Sequence, residues 1–208
     1  MLTLIKVAVT GLPASGKSSV CQLLKERGAF VVNADELAHS LLVPSTPIGR
    51  KVVELLGPSV LQGEQLDRGE IAKLVFKEPI LLQKLEALLH PAIWELLQQA
   101  YRKASAAGTY SLFVAEVPLL FEVGWDSWFD QVIAVFATPE LCRQRFQACH
   151  AGQESGQENL WNERVSRLWP RETIRQKAHF VIENSGNWDH LKEQVARVAQ
   201  QLFQAKPI

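Results

Sequence analysis

The sequence predicts a three-layer α/β fold: a parallel sheet covered by helices on both faces, with a helical insertion. Three observations carry that expectation. Short β-branched, apolar segments alternate with helical patterns along most of the 208 residues. Those segments are continuously apolar, as strands buried on both faces must be. A Gly-rich turn, Gly11 to Ser18, stands between the first strand and the first helix.

Leu4 to Thr10 (LIKVAVT) has the composition of a central strand, and Ser18 to Arg27 carries Val20, Leu23 and Leu24 at helical spacing. Ala29 to Val32 reads as a second strand. Glu36 to Val43 and Pro47 to Leu56 read as helices, ended by Pro44 and Gly57. Gly57 to Gly69 is polar with three glycines and reads as loop, and Glu70 to Phe76 as a short helix. From Ile80 to Leu89 one helical face holds Leu81, Leu85, Leu88 and Leu89. Pro91 is expected to interrupt it, since proline disfavours the α conformation at His90, and to open a new helix through Trp94, Leu97 and Tyr101.

Leu112 to Val117 and Gln131 to Ala137 are further buried strands, and Pro139 to Cys149 is a helix. Ala151 to Asn159, rich in Gly, Gln, Glu and Ser, reads as mobile. Phe180 to Ile182 is the last strand, and a helix with Leu191, Val195, Val198 and Leu202 on one face closes the chain. The helical block from about Ile48 to Lys103 is too long for a simple crossover and is expected to form a substrate-binding insertion.

Composition narrows the function. Apolar residues make up 47%, enough for a large core. Lys+Arg and Asp+Glu are both 22, and a chain of zero net charge is no general nucleic-acid binder. Cys21, Cys142 and Cys149 show no CxxC spacing and suit free thiols in a reducing cytosol. The N-terminal apolar run is too short for a signal peptide, and no stretch of about 18 apolar residues predicts a membrane span. These features point to a cytoplasmic protein without a membrane partner. Nothing in them sets an oligomeric state.

Gly11-Leu12-Pro13-Ala14-Ser15-Gly16-Lys17-Ser18 fits G-x-x-x-x-G-K-[ST], with a strand before it and a helix after it. Glycines let the backbone curl so that amides from Ala14 to Ser19 point at phosphate oxygens, and the helix N-terminus adds partial positive charge. Lys17 would reach the β and γ phosphates of ATP, and the Ser18 hydroxyl would hold Mg²⁺. An ordinary Gly-rich turn is the bland alternative. The [NT]KxD signature of guanine-reading GTPases is absent, and the chain is too short for the large remodelling machines. A P-loop kinase for a small molecule remains, which needs a base, an acceptor pocket and basic residues that close over the phosphates.

Each need has a candidate. Asp35 follows the second strand, where the carboxyl end of a parallel strand faces the ligand crevice; it is either a general base or a plain helix N-cap. Glu116 ends the third strand and either serves Mg²⁺ or the acceptor, or is a satisfied buried carboxylate. His90-Pro91 by itself reads as a helix corner. Arg143, Arg145, Arg164, Arg167, Arg171, Arg175 and Lys177 are seven cations against four acidic residues between 143 and 177, a phosphate-closing cluster or a solvated helix face. The six tryptophans, Trp188 among them, read as core or lid packing.

With these residues in hand, the chain resembles the dephospho-CoA kinase family over nearly its full length. The matching features are V-T-G-x-x-x-S-G-K-S at Val9 to Ser18, Ala34-Asp35, L-H-P-x-I at Leu89 to Ile93, V-P-L-L-F-E at Val117 to Glu122 and V-I-E-N-S-G at Val181 to Gly186. The resemblance implies phosphoryl transfer from ATP to the ribose 3′-hydroxyl of dephospho-CoA, the last step of coenzyme A synthesis. It makes Asp35 the general base, lines the acceptor site with His90, Pro118, Leu119 and Leu120, puts Arg145 in the lid and Asn184 near the adenine. The implied organisation is one domain: a core of about 1–45, 108–140 and 179–208, an acceptor-binding insertion of about 46–107 and a lid of about 141–178.

The chain departs from the family pattern at several places. Asn33 stands where an Asp is usual two residues before the base, Cys149-His150 where an Arg-Asp pair is usual, Leu168 for a lid glutamine, and Ala178-His179 for an Ala-Asp. Pro13 is also unusual within the loop. Two rival functions follow: a kinase for another nucleoside or small metabolite, and a nucleotide-binding protein without transfer activity.

Overall fold

The structure, a computed structural model, describes residues 4–149 and 157–204. Along the chain come β1 (Ile5–Gly11), α1 (Lys17–Lys25), β2 (Phe30–Asn33), α2 (Ala34–Leu41) and α3 (Pro47–Leu56). A hairpin of β3 (Leu61–Gln62) and β4 (Gln65–Leu66) leads to α4 (Arg68–Lys77) and α5 (Pro79–Ala107). The chain continues with β5 (Leu112–Glu116), β6 (Gln131–Phe136), α6 (Pro139–Cys149), α7 (Gln157–Ser166), α8 (Arg171–Lys177), β7 (Phe180–Glu183) and α9 (Trp188–Gln204).

The sheet has five strands in the order β2-β5-β1-β6-β7. β1 pairs in parallel with β5 and with β6, and β6 with β7. The continuous apolar runs are explained by two covered faces. On one, Val7, Val9, Leu112, Val114, Ile133 and Val135 pack against Val20, Leu23 and Leu24 of α1 and Leu191, Val195 and Leu202 of α9. On the other, Phe113 meets Tyr101 and Trp128 edge-on, at ring separations of 5.4 and 6.0 Å. Parallel strands leave their carboxyl ends along one edge, which puts the ends of β1, β5, β6 and β7 around the Gly-rich turn.

The chain forms two compact units, Met1–Val32 with Tyr101–Ile208, and Asn33–Ala100. The second has a core of its own, in which Val52, Val60, Leu66, Ile71, Val75 and Leu85 are buried.

Two sequence expectations need correction, and a third lies mostly outside the described residues. Gly57 to Gly69 is not all loop: a short 3₁₀ turn (Pro58–Val60) and the β3–β4 hairpin lie within it. Val60 and Leu66 are buried there, but strands of two residues are too short to show a period-two signal. Pro91 does not divide α5, which runs unbroken for 29 residues. Proline removes one N–H donor, but Pro91 is exposed while Leu85, Ile93 and Leu97 stay buried, so packing of that face outweighs the loss. Of the stretch read as mobile, Gln157–Asn159 open α7, and 151–156 lie outside the described residues, as does His150.

Candidate active site

β1 ends at Gly11 and α1 begins at Lys17, so the loop between them stands at the carboxyl edge of the central strand. Two glycines make that turn possible. Gly11 has φ 137°, and a Cβ there would lie 2.1 Å from the Val135 carbonyl oxygen. Gly16 has φ 98°, and its Cβ would lie 2.1 Å from Asn184 Nδ2. Ala14 also takes a left-handed backbone, φ 55°, which turns its neighbouring amides into the loop. Ser15 is fully buried, and its Oγ has no protein partner. Pro13, within the loop, and Ser19, in the first turn of α1, are half-buried.

Lys17 is buried and curls over the loop, its Nζ donating to the carbonyls of Gly11 (3.2 Å) and Leu12 (3.0 Å). The exposed Ser18 hydroxyl donates to Glu116 Oε1 at 3.1 Å. Glu116, itself buried at the end of β5, thus sits beside the first turn of α1. Burial pushes the Cys21 thiol, one turn further along α1, well above the ordinary range; the Glu116 carboxylate adds to the rise and Lys17 opposes it.

Asn184 braces the loop from the end of β7. Its Nδ2 donates to the Ser15 carbonyl at 2.8 Å, and its carbonyl accepts from Arg145 Nη1 at 3.2 Å. Arg145, Asn184, Gly16 and Ser19 line a cavity of about 330 Å³, closed on its other side by Gly186, Asn187, Trp188 and Leu191. That volume is in the range of small-molecule pockets, about 300–1,000 Å³.

Not all of the predicted cation cluster faces this site. Arg171 and Arg175 both pair with Glu183, Arg171 also donates to the Ala137 carbonyl at 3.2 Å, and both guanidinium groups stack on Phe136. Lys177 lies over Phe121 and Trp169, and Arg164 over Phe146. Arg143 is exposed. α8 is therefore pinned to the strand ends, and Arg145 is the member of the cluster that lines the cavity.

The segment after β5 forms a compact turn. The Pro118 carbonyl accepts from Thr10 Oγ1 at 3.1 Å, and those of Leu119 and Leu120 accept from Val123 and Trp125 amides, each at 3.1 Å. Pro118 and Leu119 are half-buried, and Leu120 is fully buried. Glu122 accepts the Trp169 amide at 2.6 Å, while Trp169 stacks on Phe121.

In the second unit, Asn33 caps α2: its Oδ1 accepts from the amides of Asp35 (2.8 Å) and Glu36 (3.3 Å). The capping role weighed for Asp35 is thereby taken, and the Asp35 side chain is exposed in the first turn. His90 is half-buried inside α5.

A family model described as dephospho-CoA kinase matches residues 5–190. The chain belongs to the dephospho-CoA kinase family. A relative named dephospho-CoA kinase from Chlamydia pneumoniae is 42% identical over 195 residues, covering 94% of this chain and 95% of its own length. A solved Thermus thermophilus structure aligns with a TM-score of 0.79 at 29% identity, covering 97% of this chain and 99% of that one. The structure of dephospho-CoA kinase from Campylobacter jejuni aligns at 0.68 with 24% identity, covering 96% and 97%, a likeness of fold.

The positions at which the chain departs from the expected dephospho-CoA kinase pattern have these surroundings. Asn33 supplies the side-chain oxygen that caps α2. His179 Nδ1 accepts the Val132 amide at 3.1 Å, while its own amide donates to the Val132 carbonyl at 3.0 Å. Leu168 is half-buried beyond the end of α7, and Cys149 is exposed.

Sequence reasoning missed Trp188. Its i, i+3, i+7 spacing with Leu191 and Val195 marks it as core, yet it is 48% exposed at the cavity rim.

Proposed function

We propose that this chain transfers the γ-phosphoryl group of ATP to the ribose 3′-hydroxyl of dephospho-CoA in the cytoplasm, with Mg²⁺. The observation that carries phosphoryl transfer is the Ser18–Glu116 hydrogen bond at the N-terminus of α1. A hydroxyl and a carboxylate side by side are the hard oxygen donors Mg²⁺ prefers, completed by phosphate oxygens and water. When bound, the ion would neutralise charge on the transferring group. Family membership supports dephospho-CoA as the acceptor.

The roles divide as follows. Amides from Ala14 to Ser19, with Gly11, Pro13 and Gly16 shaping the loop, hold the phosphates. Lys17 leaves its carbonyl partners to reach the β and γ phosphates. Asp35 orients and deprotonates the acceptor hydroxyl. His90, Pro118, Leu119 and Leu120 belong to the acceptor side. Residues 46–107 act as the acceptor-binding insertion and 141–178 as the lid. Within that lid the moving part ends before α8, because Arg171 and Arg175 grip Glu183.

A coupled ADP-release assay with MgATP and dephospho-CoA, with mass spectrometry of the product, tests this. One added phosphoryl group, absent without Mg²⁺ and lost in Lys17→Ala, is the expected outcome. ATP binding without turnover would sink the acceptor assignment.

A further inference from the structure

The cavity beside the phosphate-binding loop has a lining that selects for one kind of occupant. Its walls hold one cation, Arg145, and no carboxylate. Leu191 is 2% exposed and forms an apolar floor, and the peptide groups of Gly16, Gly186 and Asn187 border it. Trp188 is the large aromatic group of the lining, and nearly half of it is open to solvent. An indole left in water at the mouth of a pocket gains by covering its ring with another flat surface. Lys192 Nζ, 5.9 Å from the ring centroid and paired with Asp189 at 3.2 Å, helps hold the indole at the rim.

The geometry points to Trp188 as the stacking platform for the base of the nucleotide, a residue that sets affinity for the base and not for the phosphates. Two features support this. The cavity adjoins Gly16 and Ser19, so an occupant can be joined to phosphates on the loop. Asn184 spends its side-chain amide on Ser15 and Asn187 its side-chain oxygen on the His190 amide, so hydrogen-bonding side chains are partly committed and an aromatic face is what remains. Stacking tolerates any base, so Trp188 contributes affinity without strong choice between purines.

The inference rests on the proposed nucleotide site and not on the acceptor. Binding of MgATP and of magnesium tripolyphosphate, which has no base, is measured on the full chain by calorimetry without acceptor. In Trp188→Ala, ATP affinity falls about tenfold, tripolyphosphate affinity holds, and Trp188→Phe restores most of the ATP affinity. Tryptophan emission quenched by MgATP in the wild type loses that quench in Trp188→Phe, although ATP still binds. Unchanged ATP affinity in Trp188→Ala, or a quench that survives in Trp188→Phe, overturns the assignment. So does equal loss for both ligands, which would make Trp188 a support of the loop. Inactivity toward dephospho-CoA would leave these readings intact.

Discussion

Asn33 and Asp35 are two residues apart and do different work. The Asn33 side chain accepts from two amides at the start of α2, so Asn33→Ala should destabilise the fold by about 1 kcal/mol. For a chain of this size that lowers the melting temperature by roughly 2–4 °C, with kcat nearly unchanged. Asp35→Asn keeps the cap and should leave the melting temperature in place. Its kcat should fall by about 10²–10⁴, the usual worth of general-base assistance, while ATP affinity survives. Paired melting curves and kcat values check both, and a kcat loss in Asn33→Ala matching that of Asp35→Asn would undo the division. Sequence alone left Asp35 between base and cap, because both roles suit an Asp after a strand. The phosphate-binding loop was legible because its chemistry is local, eight consecutive residues in which the types at Gly11, Gly16, Lys17 and Ser18 are fixed by the pattern. The Asn184 brace was not, since 169 residues separate Asn184 from the Ser15 carbonyl it holds.

Among the elements, the strands were legible from composition, because burial on both faces demands continuous apolar residues. α5 was not, because local and tertiary preferences conflict there. Pro91 argues for a break, while Leu85, Ile93 and Leu97 argue for one continuous buried face, and the face prevails. Pro91→Ala should therefore stabilise the fold. A helix-interior proline is worth about 3 kcal/mol against alanine, and the freer unfolded chain returns roughly 0.4–1 kcal/mol. A net gain of about 2 kcal/mol in urea unfolding is expected, and an unchanged midpoint would mean that the helix already accommodates the ring. The cation cluster shows a similar conflict. Charge counting treated Arg145, Arg171 and Arg175 alike, yet Glu183 and the Phe136 ring claim the last two.

For the whole molecule, acidic and basic residues balance, so stability near neutrality is not governed by net charge. A buried thiol should shape the alkaline side instead. Cys21 is 3% exposed, and burial, reinforced by Glu116, keeps its thiol protonated in the folded state well above the ordinary value. A free thiol in the unfolded chain ionises near pH 8.5. Above that pH the folded chain holds a proton that the unfolded chain has released. Stability from this group is therefore complete below about pH 8 and is lost as the pH rises, with a limiting slope near 1.4 kcal/mol per unit. From pH 8 to 10 the loss should be about 2 kcal/mol. Cys142 is also buried and its thiol is pushed up by that burial, so the informative quantity is the difference between wild type and Cys21→Ala. The variant should be less stable at pH 8, because a side-chain atom is missing from the core, yet should lose less on going to pH 10. Urea unfolding under reducing conditions at both values measures this, and parallel losses in the two proteins would mean that Cys21 ionises in the folded state despite its burial.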